Sequence, residues 1–128
     1  MGHHPVRTYG NHKSEVVDAV LTSILPALQE AHVDLYLCGH DHTQQIIARN
    51  GEPFYVISGG GGARLTPVAE PQGDLVYSRS GHGFINAKVD KDSFSIANYD
   101  RDGTRLAEYK IARTCIYGQG ACLATVKN

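Results

Sequence analysis

A short apolar run that stops at a glycine constrains this chain more than any other feature. Val33-Asp34-Leu35-Tyr36-Leu37-Cys38 is followed at once by Gly39, the pattern of a mostly buried strand ending in a tight loop. That loop, Gly39-His40-Asp41-His42-Thr43, presents two histidines one residue apart. In layered α/β folds, loops at the C-terminal edges of strands carry site chemistry, because the sheet is rigid while the loop is free to vary. Imidazole is the commonest neutral metal ligand. A lone loop histidine is ordinarily a surface feature, whereas this pair directly after a strand reads as a candidate metal site.

The segments around the loop support a layered fold. Upstream, Val16, Val17, Val20, Leu21, Ile24, Leu25 and Leu28 recur at helical spacing, with Glu15, Asp18, Ser23 and Gln29 on other faces, which predicts an amphipathic helix packed on a sheet. Ser14 is its expected N-cap, Glu15 suits the first turn, and Pro26 should kink or restart it. Downstream, residues 44–48 and 54–58 flank Asn50-Gly51, a strong hairpin signal because that dipeptide tolerates positive φ. Residues 84–89, 93–99 and 106–111 then read as a meander, with Asp102-Gly103 as a turn. Residues 64–81 show little periodicity and read as a long loop.

Composition narrows the function classes. The 128 residues are 41% hydrophobic, enough for one ordinary core, and 12 basic against 13 acidic side chains leave a formal charge of −1. With the charges mixed along the chain, no basic stripe points to nucleic acid. No apolar stretch is long enough to cross a bilayer, and the N-terminus lacks a signal-peptide pattern.

Cys38, Cys115 and Cys122 do not form a metal-binding spacing. Cys38 lies in the apolar run as a small hydrophobe. Cys115 and Cys122 flank a glycine-rich stretch, and can either close a disulfide loop in an exported protein or stay reduced. Gly59 to Gly62 follow a strand, but without Gly-Lys-Ser/Thr they are not a P-loop. A plain glycine-rich turn is the better reading than a phosphate-cradling loop.

A second histidine motif lies at the start, where Gly2-His3-His4-Pro5-Val6 is followed by Tyr9-Gly10-Asn11-His12. Together with Leu35-Tyr36-Leu37-Cys38-Gly39-His40-Asp41-His42, these residues resemble the C-terminal half of calcineurin-like metallophosphoesterases, and within them the purple, or tartrate-resistant, acid phosphatases. The similarity continues through residues 54–62 and the Gly83-Phe84 strand, covering roughly residues 2–111. It implies the C-terminal half of a layered α/β/β/α sandwich, a mixed sheet plus an antiparallel meander. Residues 1–112 would be part of a metallophosphoesterase domain whose N-terminal half is missing, and residues 113–128 a C-terminal tail.

The resemblance also implies roles. His3 and His40 would bind the divalent ion of a dinuclear centre, His42 would bind a partner ferric ion, and His12 would face the substrate as a phosphate ligand or proton donor. Gly10-Asn11-His12 also imitates a Gly-Asn-His-Asp/Glu motif of the superfamily, but Lys13 replaces the carboxylate and the order is wrong. His4 falls where the family uses no ligand, and Asp41 either orients the loop or an imidazole, or is exposed. In the intact enzyme the centre would pair iron with iron, zinc or manganese. Two ions about 3.5–4 Å apart clamp a phosphomonoester and activate hydroxide for in-line attack.

The carboxylate ligands of the family's first half have no counterpart here. The expected molecule is therefore a fragment, with the missing N-terminal half as its partner and a small phosphate ester as its substrate. Its three histidines suit a softer divalent ion better than ferric iron, so in isolation it should bind at most a single divalent ion and hydrolyse esters weakly or not at all. The alternative is a noncatalytic module that keeps a partial metal site for a binding or structural role. A structural zinc domain fits less well, since such sites favour cysteine-rich closed ligand sets. Relatives are commonly exported, and the Cys115 and Cys122 pair leans towards a secreted or periplasmic location.

Overall fold

The structure, a computed structural model, describes residues 1–12, 20–115 and 122–126. The expected cap residues Ser14 and Glu15, with Val16, Val17 and Asp18, lie outside the described residues. Residues 20–23 are helical and Ile24 is a turn, after which α1 runs Leu25–Glu30 with Pro26 in its first turn. The helix is thus broken one residue before the position where proline would lose its own bond, leaving proline where its missing N–H costs nothing. It ends in a Schellman turn: His32 N–H donates to Gln29 O and Val33 N–H to Leu28 O, with His32 at φ 47° in the position glycine usually takes.

Eight strands follow: β1 Leu35–Cys38, β2 Gln44–Ala48, β3 Phe54–Ser58, β4 Leu75–Arg79, β5 Gly83–Val89, β6 Ser93–Asp100, β7 Arg105–Ala112 and β8 Leu123–Thr125. They form a mixed sheet in the order β1-β3-β2-β4 and a second sheet in the order β5-β6-β7-β8. β1 pairs with β3 in parallel; every other pairing is antiparallel. β2 and β3 make the hairpin expected around Asn50-Gly51, with Gly51 at φ 77°.

Two apolar clusters use the alternating faces of the first sheet. One face places Tyr36, Cys38, Ile47, Tyr55 and Ile57 against Val6 and Leu25, with Val20, Leu21 and Leu28 packed alongside. The other places Ile46, Ala48, Phe54 and Val56 against Ile96 and Ile111 of the meander. The layers are therefore helix, mixed sheet and meander. Ile46, Ile47, Tyr55 and Ile57 are wholly buried, each contributing about 1.5–3 kcal/mol on burial. A polar tie also joins the sheets: the Asn98 amide donates to Gln44 Oε1 and the Gln44 amide to Tyr99 O, both side chains being fully buried. Among the described residues no helix is long and apolar enough to cross a membrane.

One expectation is corrected. Residues 64–81 are not all loop, because β4 extends the first sheet along the open side of β2. Only Leu75 of that strand is buried, and a bulge between Ile46 and Ile47 shifts the register, so the alternation that would reveal it is weak. Beyond residue 112 the chain continues the second sheet. β8 pairs with β7, and Cys115 and Cys122 are joined in a disulfide with Cα atoms 5.6 Å apart.

Candidate metal centre

The segment from Gly2 to His4 is held against β1 by two backbone bonds, Gly2 N–H to Leu37 O (3.0 Å) and Gly39 N–H to His3 O (3.1 Å). These tie the segment along the free edge of β1 and bring His3 alongside the histidine turn. The Tyr36 hydroxyl donates to His4 O at 3.2 Å. A Cβ on Gly2 would lie 2.0 Å from that hydroxyl oxygen, so any larger residue here would require the Tyr36 side chain to move.

At the end of β1 the chain reverses sharply. Asp41 N–H donates to Gly39 O and Thr43 N–H to Asp41 O, both at 2.8 Å. His40 adopts φ 65°, a left-handed conformation that costs a non-glycine residue about 1 kcal/mol or more and that clusters at functional sites. Gly59, at the end of β3, closes over this turn: a Cβ there would stand 1.7 Å from Asp41 O. Gly61 and Gly62 have open space where a Cβ would go, which fits an exit turn rather than a built anion cradle.

Three imidazoles meet at this edge. One nitrogen each of His3, His4 and His40 lies within 4.8 Å of the others, and His3 Nε2 is 3.2 Å from His40 Nδ1. Ring centroids are 5.0 Å apart for His3 and His4, 5.1 Å for His3 and His40, and 4.2 Å for His4 and His40. The His12 ring stands 4.5 Å from that of His40. Burial lowers the His40 pKa, and charge on His4, His12 and His3 would lower it further, which favours the neutral ring, the form that ligates.

His12 is held from behind by a buried network. Its Nδ1 lies 2.5 Å from Oδ1 of Asp41, and its backbone N–H donates to the same oxygen at 3.3 Å. Asp41 is fully buried, and its other oxygen accepts from the Thr8 hydroxyl. The Gln45 amide donates to Thr8 Oγ1 (3.1 Å) and Thr43 Oγ1 (2.8 Å), while its oxygen accepts Tyr9 N–H (2.9 Å). Gly10 leaves room for this, since a Cβ there would come within 2.9 Å of the Asp41 carboxylate. Of the two alternatives open for Asp41, the structure has it orienting an imidazole. With Nδ1 engaged, His12 is left with Nε2 for a ligand.

His42 stands apart from the three-ring cluster. Its Nδ1 donates to Arg64 O at 2.7 Å, so Nε2 carries the lone pair, the arrangement by which an outer carbonyl fixes a ligating imidazole. Burial pushes the Cys38 thiol up to about 12, leaving it an inert core residue. Sequence reasoning set His4 aside, because the family uses no ligand there, and gave Thr8 and Gln45 no part. The doubled histidine was the only local signal for the first, and nothing local marks the other two.

Comparison with known proteins bears on this geometry. No family model matches the chain. It is 31% identical over 115 residues to purple acid phosphatase 7 of Arabidopsis thaliana, an alignment covering 88% of this chain and 34% of the relative. It is 27% identical over 121 residues to tartrate-resistant acid phosphatase type 5 of Sus scrofa, covering 88% and 35%. Among solved structures it resembles GAP50, the anchor in the inner membrane complex of Plasmodium, with a TM-score of 0.78 at 20% identity over 91% of this chain and 36% of that one. The similarity to purple acid phosphatases therefore extends along most of the chain, and the two-sheet fold is shared. The chain spans about a third of the length of these relatives.

Proposed function

We propose that this chain supplies the histidine half of a dinuclear metallophosphoesterase centre that hydrolyses small phosphomonoesters. The observation that carries the reading is the convergence of His3, His12 and His40 at one sheet edge, with His42 turned separately onto the Arg64 carbonyl. His3 and His40 would hold one ion and His42 the other. Their donors fit the borderline divalent ion well and ferric iron poorly, since imidazole nitrogens are softer than carboxylate or phenolate oxygens. When bound, such ions supply positive charge that polarises the phosphoryl oxygens and lowers the pKa of water.

The chain's own residues prepare the site. Asp41 fixes the His12 ring through Nδ1, so that Nε2 is the atom available to bind a phosphoryl oxygen or to hand a proton to the departing alcohol. Thr8 and Gln45 hold Asp41 in turn. This second tier favours a positioned catalytic group over a surface histidine.

The noncatalytic reading draws on the same network. Asp41 is already committed to Thr8 and His12, so it is not free to bridge two ions. Both readings are separated by hydrolysis of p-nitrophenyl phosphate with zinc, manganese or iron added. The phosphoesterase reading expects turnover when the N-terminal two-thirds of an Arabidopsis relative is supplied, little from the chain alone, and none after His40→Ala with His42→Ala. A folded complex that binds metal yet turns over no ester would favour the noncatalytic module.

A further inference from the structure

We propose that His3, His4 and His40 form a mononuclear site for a borderline divalent cation of the zinc type, with His4 as the third protein ligand. Two of these ligands, His3 and His40, are the ones the phosphoesterase reading gives to its divalent ion; the inference rests on that reading for them and adds His4, to which that reading gives no part.

The spacing carries the argument. Ligands of a tetrahedral ion bound at about 2.0–2.1 Å lie about 3.3–3.4 Å from one another. His3 Nε2 and His40 Nδ1 are 3.2 Å apart, and the His4 donor atom lies within 4.8 Å of both. A hydrogen bond between His3 and His40 would account for that pair alone. His4 follows His3 in the chain, so their 5.0 Å separation is local, whereas the 4.2 Å between the His4 and His40 rings joins residues distant in sequence. One nitrogen from each of the three imidazoles thus lies close enough to the other two for a single cation to be shared.

The frame is also preorganised. The backbone bonds at Gly2 and Gly39 and the Tyr36 bond to His4 O fix the backbone on both sides of the cluster. His40 holds its left-handed conformation within that frame. An all-imidazole set selects zinc, cobalt, nickel or copper over magnesium and calcium, which prefer oxygen. Three protein ligands leave one coordination position to solvent. His12 does not fill it through Nδ1, which is bonded to Asp41, and His42 lies outside the cluster with its own Nδ1 on Arg64 O.

The test is calorimetric titration of the tag-free chain with zinc chloride and with cobalt chloride, alongside the visible bands of bound cobalt. One ion per chain is expected, with cobalt bands of tetrahedral intensity. His4→Ala should weaken binding by more than about tenfold, since even outer-shell losses cost 10–100-fold, while His82→Ala, at a histidine outside the cluster, should leave it within about twofold. Because a variant can perturb folding, long-range nitrogen NMR of the unmutated chain gives a second reading, in which one His4 ring nitrogen shifts on adding zinc. Unchanged affinity in His4→Ala, an equal loss in His82→Ala, a His4 ring that does not respond, or no zinc binding would each overturn the proposal. None of these outcomes involves ester turnover, so they are separate from the failure of the phosphoesterase reading.

Discussion

His12 Nδ1 and Asp41 Oδ1 lie 2.5 Å apart, joining a partly exposed imidazole to a carboxylate that is fully buried. Residues 29 positions apart in the chain are thereby made into one unit. Asp41→Asn keeps the volume but places an amide where the carboxylate accepted three donors. In the complemented enzyme it should lower kcat/KM by about 10²–10⁴, the worth of a positioned proton-transfer group, while circular dichroism stays unchanged. Equal kinetics in the two proteins would show that Asp41 only supports the fold.

The glycine run should divide sharply under substitution. Gly59→Ala forces a Cβ to 1.7 Å from Asp41 O, whereas Gly61→Ala and Gly62→Ala meet nothing within 4 Å. Urea denaturation should show a loss of more than about 3 kcal/mol for the first and about 0.5 kcal/mol or less for the others. Three similar losses would contradict the packing described.

Glu52 gives the fold an acid sensitivity of definite sign. Burial alone would raise its carboxyl, but hydrogen bonds from Arg7 and Tyr55 and the charges of Arg7 and Arg49 outweigh it and hold it below the usual range. Its folded pKa is thus below the unfolded value of about 4.3. The stabilisation is present above that value and is lost as pH falls through the folded pKa. Thermal melts should show Glu52→Gln less stable than the parent at neutral pH, with the gap closing as the pH drops below about 4.

Arg7 tests the same tie from the other side. It donates to both Glu52 oxygens, at 2.9 and 2.6 Å, fastening the histidine-bearing segment to the β2–β3 turn. Arg7→Met should cost about 1–3 kcal/mol in urea denaturation, because it leaves a buried acceptor short of its donors. A change below about 0.5 kcal/mol would mean that the segment is held by its backbone bonds alone.

Reduction should loosen the far edge of the meander. The Cys115–Cys122 bridge joins residues seven apart in sequence, and β8 adds only three paired positions to β7. Closing so short a loop is worth about 2–3 kcal/mol on the chain-entropy account. The melting temperature should therefore fall in reductant. Hydrogen exchange should speed up at Ile111, which pairs with Leu123; an unchanged exchange pattern would show β8 to be held without the bridge.

What could be read from the sequence was what short-range geometry dictates. The apolar run into Gly39 marked β1 and the turn after it, Asn50-Gly51 marked the hairpin, and Pro26 marked the break in the helix, because each restricts φ and ψ within a few residues. The half-buried β4 escaped notice, since its burial depends on lying beside a bulged β2. The histidine motifs, two segments some 37 residues apart, pointed to a metal site and to a family. Only the tertiary structure decided which nitrogens meet. His4 joins His3 and His40 because Gly2 and Gly39 bond across to β1 and to the N-terminal segment, and Asp41 faces His12 because Gly10 and Gly59 leave room for it. Such contacts follow from the register of distant segments, and a local pattern of residues carries no information about that register.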